Sequence, residues 1–261
     1  MTPLNYIIKA LKEVSDTPRL DAQYFYDYYK GCPTDEQISD FIQRRKLGEP
    51  VSKIIGLRGF WKRDFYVSRD VLDPRPDSET LIEAVLDTFK EQNQCLSFLD
   101  IGTGSGCLLL TLLDEYPCAI GTGIDKSEAA LIIAQKNDTN NRAKWIQKDF
   151  YALDFCVGME QYDVIISNPP YIPHNDIALL DNEVRLYDPL LALDGGLDGL
   201  DAYRRLSDIL PLLLKENGVI FFEIGIGQEN DVIQIMSNRF RCVEMYKDLG
   251  GIVRILMFRK K

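Results

Sequence analysis

Hydrophobic residues recur with a helical period at the start of the chain. Four apolar residues have the spacing i, i+3, i+4 and i+7 that places them on one face of a helix: Leu4, Ile7, Ile8 and Leu11. Two more helical segments follow, and Thr34 with Gln37 three residues later has the form of a capping box. Gly48-Glu49-Pro50 ends the pattern. We therefore predict a small helical-bundle domain over residues 1–50.

The pattern changes between residues 51 and 76. Aromatic and β-branched residues replace the helical spacing, and Gly56 and Gly59 punctuate them, which favours a hairpin or an extended connector. The proline-rich stretch 73–77 follows as a rigid linker, and Asp77 or Ser78 is placed to cap the next helix. We predict a hairpin and linker over 51–76 and a second domain over 77–261.

From about residue 96 onward, strand-like apolar runs alternate with helical ones. This alternation favours an open α/β sheet that is mostly parallel. The last two strand-like runs are separated only by Lys247 to Gly251, which is too short for a helical crossover and predicts an antiparallel hairpin. The strand-like runs lie near residues 96–100, 119–124, 145–146, 164–166, 219–222, 243–246 and 252–258.

Charge is distributed unevenly. The first 80 residues carry 13 acidic and 13 basic side chains, so the remaining 27 acidic and 17 basic side chains account for the whole net charge of −10. An acidic domain binds nucleic acid poorly without sequence specificity, because Lys and Arg supply most of that affinity. Basic residues cluster between residues 44 and 69, where we predict a solvated face, with contact to RNA or to an acidic partner as the alternative.

Composition excludes several classes of site. The single histidine, His174, rules out a multi-histidine metal centre, and we predict that it is solvated or packs in a loop rather than acting in catalysis. The six cysteines contain no C-x-x-C pair, so neither zinc nor a redox pair is indicated. No apolar run approaches the length of a membrane helix, and no signal-peptide pattern is present. We expect a cytoplasmic protein without a metal.

A glycine-rich loop follows the first strand of the second domain. Asp100-Ile101-Gly102-Thr103-Gly104-Ser105-Gly106 opens a helix, and Asp125 ends the next strand, 21 residues after Gly104. That position suits an acid that binds ribose hydroxyls. The loop carries no basic residue and no Lys-Ser/Thr, so a pyrophosphate fits poorly. A nucleoside with a cationic amino-acid tail fits better, which favours S-adenosyl-L-methionine over an ordinary βα turn without a cofactor.

Asn168-Pro169-Pro170-Tyr171 follows the apolar run Val164 to Ile166 and therefore sits where a buried strand ends. Two prolines fix φ and offer carbonyls but no N–H groups, and the Asn side chain can accept a hydrogen bond. A planar NH2 group suits such a turn, with its hydrogens on the acceptors and its plane against the aromatic ring. An ordinary proline-rich strand exit is the alternative.

Together, these motifs resemble class I S-adenosylmethionine-dependent methyltransferases that act on planar nitrogens. The fuller pattern resembles the HemK/PrmC family, which methylates a glutamine side-chain amide in peptide-chain release factors. The resemblance covers nearly the whole chain and includes the helical N-terminal region, the stretch 71–79 around Pro74-Arg75-Pro76, and Phe222-Glu223-Ile224-Gly225 with Gln228. It implies a Rossmann-like seven-stranded sheet with an antiparallel last strand. One departure from the family pattern is Asp73, where a β-branched apolar residue is usual.

The resemblance also implies roles for individual residues. Asn168 and the Pro169 carbonyl would accept the amide hydrogens, and Tyr171 would stack on the amide plane beside Pro170. Phe150 would pack near the adenine. The segment 173–201 is expected to be a long loop that walls the glutamine pocket. The residues implied to hold the cofactor are Asp100, Gly102, Thr103, Gly104, Ser105, Gly106, Asp125, Phe150 and Asn168.

Two other functions stay open from the sequence. An adenine methyltransferase acting on DNA or RNA would flip a base into the same acceptor pocket. A cofactor-binding module without turnover would dock on a partner. The acidic second domain counts against the first, and the intact glycine loop and Asn-Pro-Pro-Tyr motif count against the second. We expect a monomer that binds release factors, without direct nucleic-acid or membrane binding.

Overall fold

A bundle of four helices forms the N-terminal region: α1 (Pro3–Leu11), α2 (Pro18–Tyr28), α3 (Asp35–Lys46) and α4 (Val51–Ile55). The computed structural model describes residues 2–261, so Met1 of the expected domain 1–50 lies outside the described residues. Phe25 and Phe41 stack at 4.1 Å between ring centroids in the core of the bundle. The capping box of Thr34 and Gln37 is confirmed.

A short hairpin connects the bundle to the larger part of the chain. Strands β1 (Leu57–Phe60) and β2 (Arg63–Tyr66) pair antiparallel around a two-residue turn. The backbone N–H of Trp61 donates to Glu79 Oε1 at 2.8 Å, and its indole N–H donates to Glu115 at 2.8 Å. These two bonds tie the turn to the helices of the larger domain.

The larger domain is built on a sheet of seven strands in the order β5-β4-β3-β6-β7-β9-β8. The pairs among β3 to β7 are parallel, whereas β9 is antiparallel to both of its neighbours. The predicted mostly parallel sheet with an antiparallel last strand is therefore confirmed. The strands are β3 (Ser97–Ile101), β4 (Ile120–Asp125), β5 (Ala143–Gln147), β6 (Tyr162–Ser167), β7 (Leu214–Glu223), β8 (Phe240–Lys247) and β9 (Val253–Lys260).

Helices cover both faces of this sheet because apolar side chains alternate between the faces along each strand. Helices α5 and α6 pack with Phe98 and Phe221 on one face, and α9 and α10 pack with Leu99 and Phe222 on the other. The remaining helices of the domain are α7 and α8. Their bounds are α5 (Glu79–Thr88), α6 (Cys107–Glu115), α7 (Glu128–Asn137), α8 (Asn182–Tyr187), α9 (Asp201–Leu213) and α10 (Glu229–Met236).

Two local expectations are wrong. The segment 173–201 is not a plain loop, since it contains α8 and two short 3-10 turns, His174–Leu179 and Leu190–Ala192. Neither Asp77 nor Ser78 caps α5 with its side chain; a 3-10 turn, Pro76–Ser78, leads into that helix instead. The Asp77 carboxylate pairs with Arg254 at 2.8 Å, and the Ser78 hydroxyl accepts from Asn168.

Candidate active site

The sheet reverses its winding direction between β3 and β6, and this is where ligands bind in open α/β folds. The chain runs outward from β3 through β4 to β5 and then returns to place β6 on the other side of β3. The glycine loop leaves the carboxyl end of β3, and Asn168 follows the carboxyl end of β6. The two motifs singled out in the sequence therefore meet at one edge of the sheet.

The glycine loop is held by the neighbouring strand. The backbone N–H groups of Gly102 and Thr103 both donate to the carbonyl of Ile124 at 2.9 Å. Gly104 has a φ of 55°, a conformation that glycine adopts without strain, and its N–H donates to Asp125 Oδ2 at 2.9 Å. The loop thus turns sharply while its backbone stays close to Asp125.

Asp125 is fixed from two sides by backbone donors. Its Oδ1 accepts from Ser127 N–H at 2.9 Å, and its Oδ2 accepts from Gly104. Burial raises the pKa of Asp125, while the backbone N–H groups of Ser127, Gly104 and Lys126 oppose that change. Because each carboxylate oxygen accepts more than one hydrogen bond, the side chain can also receive a pair of ligand hydroxyls.

Asp100 lies buried beneath the same loop, with 1% of its surface exposed. Thr103 Oγ1 donates to its Oδ2 at 2.6 Å, whereas Oδ1 has no hydrogen-bond partner among residues 2–261. Burial raises the pKa of Asp100 to about 7; the Thr103 bond lowers it, and the nearby Asp125 adds to the rise. A buried carboxylate of this kind favours a positively charged ligand above it.

A cavity of about 550 Å³ opens above the loop. Of the residues expected to hold a cofactor, Asp100 and Gly106 lie beneath the loop and are buried. The others line the cavity: Gly102, Thr103, Gly104, Ser105, Asp125, Phe150 and Asn168. The structure therefore brings the expected residues together around one space, with the acids and the glycine loop on one side and Asn168 on the other.

Two lysines line this cavity, although the glycine loop itself carries no basic residue. Lys126 Nζ pairs with Asp149 at 2.9 Å. Lys148 Nζ donates to the carbonyls of Phe155 and Val157, each at 2.8 Å. Both ammonium groups already have oxygen partners, so the cavity is not a phosphate site of the P-loop kind.

A second cavity of about 270 Å³ adjoins the first, and Asn168 lines both. Tyr171, Glu223, Arg75 and Arg254 also line the second cavity. Within the Asn-Pro-Pro-Tyr motif, Pro170 thus faces the first cavity and Tyr171 the second, while Pro169 is buried between them. Asn168 stands at the boundary, where a group from one cavity can reach a group from the other.

Tyr171 is clamped in place by its surroundings. Gln228 Nε2 donates to the Tyr171 carbonyl at 3.0 Å, and Gln228 Oε1 accepts from Gly225 N–H at 2.9 Å. A Cβ at Gly199 would lie 2.3 Å from the Tyr171 carbonyl oxygen, so only glycine fits there. Burial is the main cause that raises the pKa of Tyr171, and the phenol therefore stays neutral.

The N-terminal bundle, the linker and the segment 173–201 meet in a cluster of charges, which we call the seam. Its members are the buried Lys53, Asp73 and Asp188 and the partly exposed Arg75. Lys53 Nζ lies 2.8 Å from Asp73 Oδ1 and 3.0 Å from Asp188 Oδ1. Arg75 pairs with the other oxygen of Asp188. Asp73, the departure from the family pattern, is therefore a buried ion-pair partner that holds the linker.

The prediction of a solvated basic face over residues 44–69 is wrong for its central members. Arg45 is buried and pairs with Asp21 and Glu183, each at 2.8 Å, and Lys53 belongs to the seam. Arg44 and Arg69 both bind Glu49. Carboxylates thus neutralise these four basic residues. Side chains so distant in the sequence could not be paired from its pattern.

His174 is exposed, and its Nδ1 lies 2.7 Å from Asp194 Oδ2. Asp194 in turn accepts from the backbone N–H of Gly196 at 3.0 Å. The histidine therefore braces the start of the segment 173–201. Over the described residues 2–261, no cluster of His, Cys, Asp and Glu could hold a metal ion, and no helix is long and apolar enough to cross a membrane.

Comparison with known proteins agrees with this geometry. Residues 68–184 match the family model described as Methyltransferase small domain. A release factor glutamine methyltransferase of Rhodospirillum rubrum is 46% identical over 84% of this chain and 67% of its own length. The protein of the same name from Caulobacter vibrioides is 44% identical over 93% of this chain and 89% of its own length.

The chain belongs to the family of release factor glutamine methyltransferases. The resemblance seen in the sequence is thereby confirmed, and the protein is a methyltransferase. A methyltransferase structure from Pyrococcus furiosus shares the fold, with a TM-score of 0.54 over 86% of this chain and 98% of that one, at 15% identity.

Two polar residues beside Asn168 were not among the predicted site residues. Ser78 Oγ accepts from Asn168 Nδ2 at 3.3 Å, and Glu223 ends β7 directly beside Asn168. Glu223 carries the same sequence signal as Asp100, since each is an acid near the carboxyl end of a buried apolar strand. At β3 the acid is followed by a glycine-rich loop, which marks it as a candidate site residue, whereas Glu223 at β7 was not predicted as one.

Proposed function

We propose that this enzyme transfers a methyl group from S-adenosyl-L-methionine to the side-chain amide nitrogen, N5, of the glutamine in the Gly-Gly-Gln motif of peptide-chain release factors. The observation that carries this proposal is the position of Asn168 at the boundary of two cavities. One cavity has the acids and the glycine loop that suit a cationic nucleoside, and the other has the aromatic ring that suits a flat acceptor.

The first cavity fits the proposed cofactor. Asp125 presents carboxylate oxygens that can accept from the two ribose hydroxyls, and Phe150 offers a flat apolar surface for the adenine. Asp100, which has no ion pair within residues 2–261, supplies negative charge near the glycine loop for a cationic tail. When bound, the cofactor supplies an electrophilic methyl carbon on a sulfonium.

On the acceptor side, the chain has to position a weak nucleophile. An amide nitrogen is weak because its lone pair is delocalised into the carbonyl. Asn168 Oδ1 and the Pro169 carbonyl accept the two amide hydrogens, and the Tyr171 ring packs against the amide plane. Correct positioning contributes about 7–11 kcal/mol in favourable cases. Acceptors aimed at the positive charge that develops on nitrogen stabilise the transition state further.

We also propose that the helical region 1–50 contributes to binding the release factor and that the enzyme acts as a cytoplasmic monomer. The seam and the pairing of Arg45 with Glu183 support the first point, because they join the bundle to the segment that lines both cavities. A partner docked on the bundle would therefore reach the acceptor cavity through a rigid connection. Direct nucleic-acid binding is not part of this proposal.

The proposed function is tested by transfer of a labelled methyl group to three acceptors offered side by side. These are a release factor, its Gly-Gly-Gln variant with Ala in place of Gln, and duplex DNA. We expect label on the release factor and none on the other two. Label on DNA would instead support the adenine methyltransferase, since a flipped adenine presents the same planar NH2 group.

Asn168→Ala tests the role of the acceptor turn. We expect methyl transfer to fall by about 10²–10³-fold, the size of effect seen when one aimed hydrogen-bonding group is lost from a transition state. Cofactor affinity measured by calorimetry should change little, because Asp125 and the glycine loop are untouched. The exposed Asn175 provides a matched Asn→Ala control. Near-normal turnover in Asn168→Ala would contradict the mechanism.

A further inference from the structure

Glu223 and Asn168 occupy equivalent places at the ends of adjacent parallel strands. Ser167 of β6 is paired in register with Phe222 of β7, so the next residue on each strand brings Asn168 beside Glu223. Neighbouring strands lie about 4.8 Å apart, and both side chains follow the same face of the sheet. Both residues line the second cavity. The carboxyl group of Glu223 therefore lies next to the amide group of Asn168.

Ser78 completes a polar cluster with these two residues. Asn168 Nδ2 donates to Ser78 Oγ at 3.3 Å, and both side chains are near enough to Glu223 to lower the pKa of its carboxyl group. Glu223 is 2% exposed, and its Oε2 has no hydrogen-bond partner in the part of the chain that the structure describes. The carboxylate is thus committed to this cluster and has little access to water.

The chemistry of a carboxylate decides which way the amide faces. An ionised carboxylate can only accept hydrogen bonds, whereas a serine hydroxyl both donates and accepts, and an asparagine amide has a donor end and an acceptor end. If Ser78 donates its one hydroxyl proton to Glu223, its oxygen can only accept from Asn168, which must then present its NH2 group. Glu223 can also take that NH2 directly. Both routes turn Nδ2 towards Glu223 and leave Oδ1 facing the boundary of the two cavities.

We propose that Glu223 is a positioning residue, which holds the Asn168 amide, directly and through Ser78, with Oδ1 towards the acceptor nitrogen. This inference rests on the proposed function for its catalytic meaning. The orientation of Asn168 itself can be measured without any acceptor. Without the carboxylate, the Asn168 amide is free to rotate. It could then turn its NH2 group towards the NH2 group of the substrate glutamine, and two hydrogen-bond donors cannot pair.

Charged and titratable groups face Glu223 from several elements. Burial raises the pKa of Glu223 to about 7, and Asp77, before α5, raises it further. The pKa is lowered by three neighbours, Ser78, Arg254 on β9 and Asn168. Tyr171 and Tyr203 are close enough for Glu223 to raise the pKa of each phenol, so both stay neutral. Turnover should therefore rise as pH increases through about 7. Asp100 titrates in the same range, but in the cofactor cavity.

The kinetic test compares Glu223→Gln, Glu223→Asp and the wild type at saturating cofactor and release factor. Misplacement of a reacting group by about 1 Å costs about 100-fold in rate. We expect kcat to fall on that order in Glu223→Gln, with an unchanged Kd for the cofactor and no rise of kcat through pH 7. Glu223→Gln keeps the shape but adds a donor, whereas Glu223→Asp keeps an acceptor-only carboxylate on a shorter stem.

The two variants separate positioning from packing. If Glu223 only filled space, the isosteric Gln would be tolerated better than the shorter Asp. If the proposal holds, Asp recovers part of the lost kcat and restores the rise with pH. The exposed Glu244 on β8 provides a matched Glu→Gln control with the same change in charge. Full kcat with an unchanged pH profile in Glu223→Gln would overturn the proposal.

A second measurement needs no methyl acceptor. The side-chain NH2 resonance of Asn168 can be followed by NMR in the full chain labelled with ¹⁵N-asparagine, and it is assigned by its loss in Asn168→Ala. We expect it to shift with a midpoint near pH 7 in the wild type and to stay fixed in Glu223→Gln. A resonance that does not move in the wild type would overturn the proposal. A moving resonance in a protein that methylates no release factor would leave the positioning intact and refute the proposed function.

Discussion

Two pairs of carboxylates in this enzyme are equally buried but differ in their counter-charges. Asp73 and Asp188, at the seam, expose 6% and 2% of their side chains and share Lys53 as an ion-pair partner. Asp100 and Glu223, near the carboxyl ends of β3 and β7, are 1% and 2% exposed, and neither forms a salt bridge with any residue in the range 2–261. Burial alone therefore does not decide how the fold treats an acid.

The difference separates structural from functional acids. At the seam, burial raises the pKa of Asp188, but Lys53 and Arg75 oppose it, and the cluster holds three segments of the chain together. At the two cavities, burial raises the pKa of Asp100 and of Glu223 to about 7 in each case. The fold leaves these acids without a cation next to the proposed cofactor cavity and the proposed acceptor cavity.

The largest effect is expected when the buried acids at the seam, Asp73 and Asp188, lose the lysine with which they pair. Lys53→Met removes the shared cation and leaves two buried carboxylates facing each other near Arg75. Removing one partner of a buried ion pair destabilises a protein by about 3–5 kcal/mol. We expect a loss of that size in the free energy of unfolding measured with urea. Lys90→Met serves as the control, because Lys90 is 79% exposed and lies 3.9 Å from Asp87.

A small effect of Lys53→Met would break the comparison. It would mean that water reaches the seam carboxylates or that Asp188 takes up a proton. The pH dependence of the variant distinguishes these cases, since protonation of Asp188 would restore stability as pH falls.

The seam also marks the limit of what the sequence alone predicts. Lys53 and Asp188 lie far apart in the chain, and no periodicity relates them, so only the assembled fold shows the pair. The basic cluster at residues 44–69 therefore looked like a solvated face, because the acidic partners of Arg45 and Lys53 come from other segments.

Local patterns, by contrast, predicted the fold and much of the candidate site. Most strands of the second domain contain a short apolar run, and the short Lys247–Gly251 link correctly indicated the antiparallel end of the sheet. The glycine loop, Asp125 and Asn168 were found because each follows a strand, where a parallel sheet places its ligands. Ser78 was predicted only as a helix cap, because capping accounts for a serine at that position equally well.

The next largest effect is expected when one of the buried acids without a salt bridge, Glu223, loses its charge. Burial raises the pKa of Glu223 from 4.5 to about 7, so the folded state binds the proton more tightly than the unfolded state. The resulting penalty is absent below pH 4.5, grows as pH rises through 7 and is complete above it. At pH 8, Glu223→Gln should therefore unfold with a free energy up to about 3 kcal/mol greater than the wild type.

At low pH the two proteins should be equally stable, since Glu223 is then neutral in both states. Urea unfolding at about pH 4 and about pH 8 measures the difference directly, and Asp100 affects both proteins alike. A difference that does not change with pH would show that Glu223 is paired in the folded protein. Stability gained together with turnover lost would show that this acid is kept for its function.

A smaller effect is expected at Asp125, which belongs to neither group. It is half-buried and forms no salt bridge inside the range 2–261, but backbone N–H groups of Gly104 and Ser127 hold both of its oxygens. Hydrogen bonds to a charged group contribute about 1.5–3 kcal/mol, so Asp125→Ala should weaken cofactor binding by roughly 10–100-fold. Calorimetry with the cofactor checks this, and Asp154→Ala, at an exposed site, is the control. Unchanged affinity would exclude Asp125 from the cofactor site.

The smallest effect is expected at the exposed pair of His174 and Asp194. The hydrogen bond from His174 lowers the pKa of Asp194, yet the His174 side chain is 63% exposed, and exposed pairs contribute about 0–1 kcal/mol. His174→Asn should leave kcat within about twofold of the wild type and barely change unfolding by urea. If the rise of kcat with pH survives in His174→Asn and disappears in Glu223→Gln, Glu223 causes the rise. If the rise disappears in His174→Asn, the exposed pair acts in catalysis. The contrast between paired and unpaired acids would then not hold at the active site.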